Sequence, residues 1–137
     1  MPIVGLVLIS LVLPVCQSFA QSSLDIKITN VRKNQGKIFV EVFQNPETWL
    51  ENPFREATLP TDADTKTVSF QVPYGTYAIS IYQDTNDNGE LDTNFLGIPK
   101  EPIGFGNNYE PFGKPKFESA AIEHTATSQP QEIALDD

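Results

Sequence analysis

The chain has 137 residues, and its nine basic and 18 acidic side chains give a formal net charge of −9 at neutral pH. Such acidity argues against nucleic acid and anionic membrane surfaces as partners, because both repel a negatively charged protein. The single cysteine excludes a disulfide bond within the chain.

The first twenty residues predict a secretory signal peptide. MPIVGLVLISLVLPVCQSFA has no charged side chain, and small residues stand at Ser18 and Ala20. Its apolar core is shorter than the roughly 20 residues that span a bilayer. We therefore expect cleavage after Ala20, which leaves residues 21–137 as one secreted or periplasmic domain that does not span the membrane. A lipid anchor on Cys16 is a less favoured alternative, because Val15 replaces the small residue of that motif.

The next two segments alternate between polar and apolar residues. LDIKITN (24–30) predicts a strand with one buried face, and KIFVEVFQ (37–44) predicts the return strand after a turn. In the second strand, Phe39 and Phe43 lie on the face opposite the aliphatic residues. We therefore expect this strand to be central and covered on both sides.

The following segment (45–64) has three prolines and no alternation. A short helical turn is expected over residues 47–50, because Pro46 suits the first position of a helix. Trp49 is the only tryptophan. We interpret it as a core residue rather than a binding surface, because its indole buries a large area.

Strand patterns return at KTVSFQV (66–72) and TYAISIYQD (76–84), joined by a PYG turn. FESAAIEH (117–124) and QEIALDD (131–137) predict the last two strands. Their core candidates are Phe117, Ile122, Ile133 and Leu135. These elements predict an all-β fold, a single β-sandwich of about seven strands, immunoglobulin-like or prealbumin-like.

The polar stretch after the fourth predicted strand has the spacing of a calcium-binding loop. In DTNDNGELD (84–92), oxygen-bearing residues recur at every second position, and Gly89 stands at position six, where a sharp bend is needed. The predicted calcium ligands are Asp84, Asn86, Asn88, the carbonyl of Glu90, and Asp92.

Two features depart from the usual calcium loop. Phe95 stands at position twelve, where a bidentate glutamate is expected, and a strand rather than a helix precedes the loop. Calcium takes six to eight oxygens, so Glu101, Glu110 or water would have to complete the coordination. The alternative is a polar turn without an ion, because Asp, Asn and Gly favour turns on their own.

A catalytic site is not evident. His124 is the only histidine, and Ser119 precedes it without a third partner of a triad. The alternative is that the protein is an enzyme. It would then act on a polysaccharide through a pair of carboxylates such as Glu101 and Glu110.

Residues 94–116 form a long irregular run rich in proline, glycine and aromatic residues. Long loops of this kind tend to be functional, so we expect a binding surface for an envelope or extracellular ligand. Its predicted residues are Gly97, Pro99, Glu101, Gly104, Phe105, Asn107 and Asn108. One alternative is that the run only covers an open sheet edge. Another is that the domain is an accessory part of an envelope complex.

The stretch VPYGTYAISIYQDTNDNGELDTNFLGIPKEPIGFGNN (72–108) resembles a bacterial secreted family known as domain of unknown function 2141. FGKPKFESAAI (112–122) and GKIFVEVFQNPETW (36–49) fit the same family, although Gly106 replaces a serine of its pattern. The resemblance implies a secreted or periplasmic protein whose function is unassigned. The turn VPYGTY also resembles prealbumin-like and collagen-adhesin B-type sandwiches, which supports the expected fold by analogy.

Overall fold

The computed structural model describes residue 5, residues 9–12 and residues 22–136. Most of the predicted signal peptide, with Cys16 and the expected cleavage site, lies outside these residues. Within the described part, no helix is long and apolar enough to cross a membrane. The strands are β1 (Ser22–Thr29), β2 (Lys37–Phe43), β3 (Arg55–Pro60), β4 (Lys66–Val72), β5 (Gly75–Asp84), β6 (Ile103–Phe105), β7 (Ala121–His124) and β8 (Gln131–Ala134). The helical segments are short 3-10 turns at Pro46–Thr48 and Gly106–Asn108, and one turn of α-helix, α1 (Phe117–Ala120).

The strands form two sheets. The first has the order β4-β1-β8, in which β1 pairs antiparallel with β4 and parallel with β8. The second has the order β3-β2-β5-β6 and is antiparallel throughout. On the side of β5 that does not face β2, the first residues of β5 pair with β7 and later residues pair with β6.

The main core lies between the two sheets. Leu24, Ile26 and Ile28 project from β1, as the alternation predicts, and are almost completely buried. They pack in one cluster with the aliphatic residues of β2 and β5. Each such side chain contributes roughly 1.5–3 kcal/mol on burial. The predicted all-β sandwich is therefore confirmed, with eight strands among the described residues.

A second, smaller core covers the outer face of the β2–β5 sheet. Its buried members are Phe43, Ala78, Phe105, Phe117 and Ala120. The ring of Trp49 packs edge-on against Phe43 and Phe117, with centroid distances of 5.0 and 5.9 Å. Its indole Nε1 donates a hydrogen bond to the carbonyl of Pro115 at 3.0 Å. Trp49 is thus a core residue, and β2 is a central strand covered on both faces, as expected.

Four sequence predictions about the strands were wrong. β2 is not the hairpin partner of β1, because the two strands lie in different sheets. The proline-rich segment 45–64 contains a strand, β3, and the irregular run 94–116 contains another, β6. The residues FESA form α1, so that only AIEH forms a strand. In each case pairing with a distant strand or packing on the second core outweighs the local pattern.

Backbone hydrogen bonds join the edge of β6 to the residues that follow β8, and we call this contact the seam. The amides of Ile103 and Asp136 each donate to the carbonyl of the other, at 2.8 and 2.9 Å. Gly104 permits this approach, because a Cβ there would lie 2.8 Å from Cγ2 of Ile133. Asn108 continues the seam, since its side chain bonds to the backbone of β8. This part of the long run therefore covers a sheet edge, as the alternative interpretation predicted.

Candidate functional site

A groove of about 1190 Å³ lies over the outer face of β5 and β6. Its floor is formed by residues 80–82 and 103–105. One wall is the segment 96–99, which we call the first loop, and the other is the segment 109–115, which we call the second loop. Volumes near this size are typical of sites for small organic ligands.

The groove is predominantly apolar. Leu50, Leu96 and Ile98 line it, and each is exposed to solvent. Tyr82 and Tyr109 add aromatic surface. Proline and glycine line the loops as well, and polar side chains such as Thr93, Asn108 and Lys114 are placed among the apolar ones.

Hydrogen bonds to Asn94 hold the first loop in shape. Its Oδ1 accepts the amides of Leu96 and Ile98 at 2.9 and 3.1 Å. Its own amide donates to the carbonyl of Ile98 at 2.8 Å. Thr93 and Pro99 form a bridge at the base of the loop. The apolar side chains of this wall are therefore carried on a tightly bonded hairpin.

All of the predicted binding-loop residues except Asn107 line the groove: Gly97, Pro99, Glu101, Gly104, Phe105 and Asn108. The Asn107 amide instead donates to the carbonyls of Ser119 and Ala121. Asn107 and Asn108 both have positive φ, 63° and 52°, a conformation that asparagine tolerates better than most residues. Their side chains hold the fold together beside the groove.

The loop that carries the predicted metal ligands, residues 84–92, adjoins the groove. Asp84 is completely buried, and its two carboxylate oxygens accept the amides of Asn88 and Gly89 at 3.2 and 2.7 Å. These bonds fold the loop back on the end of β5. The amide of Glu90 donates to Oδ1 of Asn88, while the Glu90 side chain is exposed.

Asn86, Asn88 and Asp92 converge at the surface of this loop. The Nδ2 atoms of Asn86 and Asn88 lie 2.5 and 2.7 Å from the two carboxylate oxygens of Asp92. These bonds, first from Asn88 and then from Asn86, lower the pKa of Asp92 below its ordinary value. Asp92 is therefore ionised at neutral pH. The structure thus brings together the side chains of three of the five predicted ligands.

Glu101 braces the loop from the far side. It is buried, and its Oε2 accepts the amide of Thr85 at 2.6 Å while its Oε1 accepts the amide of Asp92 at 2.8 Å. The hydroxyl of Thr85 donates to the same Oε2 at 3.2 Å. One carboxylate thus bonds both ends of the loop. This contact was missed by sequence reasoning, because its partners are backbone amides without a side-chain pattern.

The other candidate groups are arranged differently. Among the described residues, no three or more His, Cys, Asp and Glu side chains are grouped to hold a metal ion. Glu110 is exposed on the second loop. His124 is buried, with Nε2 2.7 Å from Oγ of Ser22, and its ring packs near Tyr74 and Tyr77.

Comparison with known proteins identifies the family of the chain. The family model described as an uncharacterized protein conserved in bacteria (DUF2141) matches residues 26–132. No curated protein and no solved structure gives a significant match, so the prealbumin-like resemblance is not confirmed. The matched residues include β2 to β7, the polar loop and all of the groove lining except residues 134–136. The chain therefore belongs to the DUF2141 family of proteins conserved in bacteria.

Proposed function

We propose that the protein is a binding module of the bacterial envelope or exterior, and that it holds an apolar or amphipathic small molecule in the groove. The observation that carries this proposal is the groove itself, about 1190 Å³ with largely apolar walls on two loops. Burial of apolar ligand surface supplies the affinity. The placement in the envelope rests on the predicted signal peptide.

The groove favours binding over hydrolysis. The enzyme alternative assigns Glu101 and Glu110 as paired carboxylates, and both line the groove. Glu101 already accepts backbone amides on both oxygens. A reaction at this carboxylate would have to break these bonds, which hold both ends of residues 84–92. The geometry of Glu101 therefore supports a structural role.

The neutral dye N-phenyl-1-naphthylamine, which fluoresces in apolar surroundings, tests the groove. We expect saturable binding, because the groove can remove the dye from water. The variant Ser80→Leu places a larger side chain on the floor and should weaken dye binding about tenfold, since each lost 1.4 kcal/mol is tenfold. The matched control is Thr58→Leu, on the exposed face of β3 outside the groove. Equal dye affinity in both variants would contradict the assignment.

We also propose that the polar loop binds Ca²⁺. What supports this is the motif spacing together with the convergence of Asn86, Asn88 and Asp92. A half-turn of each amide would direct its oxygen, instead of its nitrogen, at the Asp92 carboxylate. Two amide oxygens that face the two carboxylate oxygens of Asp92 are favourable only around a cation. The Glu90 carbonyl and one Asp84 oxygen would add ligands, and water would complete the coordination. Calcium would stabilise the conformation of this loop and would not contact the molecule in the groove.

Titration calorimetry with CaCl₂ tests the calcium proposal. We expect binding in the range of about 10⁻⁴–10⁻³ M, since the site has few carboxylates. Asp92→Asn should reduce the affinity at least tenfold, because it removes the exposed carboxylate of the cluster. Asp87→Asn is the matched control in the same loop, where Asp87 faces Lys37 at 3.7 Å instead of the cluster. No heat and no shift in Tm at several times the highest expected Kd would refute calcium binding.

A further inference from the structure

Two loops present large apolar side chains directly to solvent. Phe95 is 96% exposed and Phe112 is fully exposed, although phenylalanine is normally buried. Leu96 and Ile98, beside Phe95, are 69% and 55% exposed. Neither phenylalanine lines the groove, but each is adjacent in sequence to residues that form its walls. We call Phe95, Leu96, Ile98 and Phe112 the apolar tips.

The apolar tips are accompanied by positive charge. Lys100, Lys114 and Lys116 are exposed and lie within five residues of a tip phenylalanine, whereas Glu110 is the one exposed carboxylate in residues 93–116. With the buried Glu101 included, the segment has a formal net charge of +1 (three lysines minus two glutamates) in a protein whose formal charge is −9. Positive charge is thus concentrated where the apolar side chains are exposed.

Acidic groups border this segment on both sides, in the polar loop before it and at the exposed Glu118 of α1 after it. Asp92 bonds to Asn86 and Asn88, and Asp87 lies 3.7 Å from Lys37. Glu90 is exposed. Acidic groups more than about 8–10 Å from a contact are largely screened at physiological ionic strength. Attraction at the apolar tips therefore depends on the three lysines and on the carboxylates close to them, such as Asp92, which interacts electrostatically with Lys100, more than on the total charge.

We propose that the apolar tips insert into the interfacial region of a lipid bilayer with anionic headgroups, and that Lys100, Lys114 and Lys116 contact those headgroups. Interfacial binding needs apolar side chains together with neighbouring lysines, and this surface has both. The hydrogen bonds to Asn94 already fix the backbone around Phe95, so insertion of Phe95 requires no further loss of backbone conformational entropy. The negative total charge opposes contact between the rest of the protein surface and an anionic bilayer, so contact through the loops alone is favoured. This inference does not depend on what the groove binds.

Tryptophan reporters test the proposal in the full-length protein. Trp49 is the only native tryptophan, and the N-terminal apolar segment has none. Variants Phe95→Trp and Phe112→Trp are mixed with vesicles of equal parts phosphatidylcholine and phosphatidylglycerol that contain brominated acyl chains, in EDTA so that calcium cannot bridge. We expect about twofold or greater quenching of each reporter after subtraction of the Trp49 emission, because the tips lie within reach of the acyl region.

The control reporter is Tyr74→Trp, in the turn before β5. Tyr74 is also exposed, but it lies at the opposite end of β5 from the polar loop, and we expect no quenching there. Changing the three lysines to glutamine should weaken vesicle binding about fivefold or more, while vesicles of phosphatidylcholine alone should bind weakly. Absence of quenching at both tip reporters, or equal quenching at position 74, would overturn the proposal. The apolar tips would then be a surface for a protein partner.

Discussion

Replacing Glu101 with alanine is expected to lower the free energy of unfolding by about 3 kcal/mol. The change leaves the amides of Thr85 and Asp92 without their acceptor in a part-buried position, and each lost partner costs roughly 1–3 kcal/mol. Urea unfolding measures the loss. Hydrogen exchange at the same two amides should accelerate more than exchange in β1, because the loop is released while the main core remains.

The matched control is Glu110→Ala, which removes an exposed glutamate from the second loop. We expect a change within about 0.5 kcal/mol there, as for most surface substitutions. If both variants lost the same small amount, Glu101 would not brace the loop. The enzyme alternative would then regain a carboxylate that is free to react.

Gly36→Ala is expected to destabilise the protein by about 3 kcal/mol or more. A Cβ at Gly36 would lie 1.7 Å from the carbonyl oxygen of Asp84, so the backbone must move. The φ of 65° adds strain, since an L-residue in the left-handed region costs roughly 1–2 kcal/mol. The displaced carbonyl belongs to the residue that anchors the polar loop. Thermal unfolding should show a lower Tm, and the convergence of Asn86, Asn88 and Asp92 should loosen.

Gly89→Ala separates the two causes. Gly89 also has positive φ, 84°, but no atom lies within 4 Å of its Cβ position. We expect a cost of about 1 kcal/mol from backbone strain alone. Equal losses in the two variants would mean that the contact between Gly36 and Asp84 is not tight in solution.

Strand interiors were the most predictable part of the fold. β1 and β4 follow the alternation closely, because one face of each strand must enter the core, whereas β5 is buried on both faces over residues 77–81. Phe70 and Val72 are buried in β4, and Tyr77, Ile79 and Ile81 are buried in β5. Successive side chains of a strand point to opposite faces, whichever strand is its neighbour. The inward-facing residues can therefore be predicted from the local sequence.

Strand partners were not predictable in the same way. β1 and β2 are consecutive and alternate well, which suggests a hairpin, yet β1 pairs with β4 and β8 while β2 pairs with β3 and β5. The choice depends on contacts across the whole chain. β3 was missed because the prolines around it hide its alternation, although Ala57 and Leu59 pack against the main core.

The polar loop was partly predictable. The spacing of Asn86, Asn88 and Asp92 indicated convergence, and their side chains meet. The burial of Glu101 was not foreseeable from the same pattern, because its oxygens bond to backbone amides nine and sixteen residues away. The apolar groove also depends on how two loops stand over β5 and β6. Composition alone indicated only that residues 94–116 were unusual.

The parallel pairing of β1 with β8 also governs when the molecule can fold. The register joins Ile26 to Gln131 and Ile28 to Ile133, so the earliest described strand gains this neighbour only when the latest one is present. Contacts between residues so far apart in sequence form slowly, because a long loop must close first. A nascent chain therefore keeps one side of β1 unpaired until nearly all of the chain is available. During that interval the unpaired strand edge is exposed to aggregation.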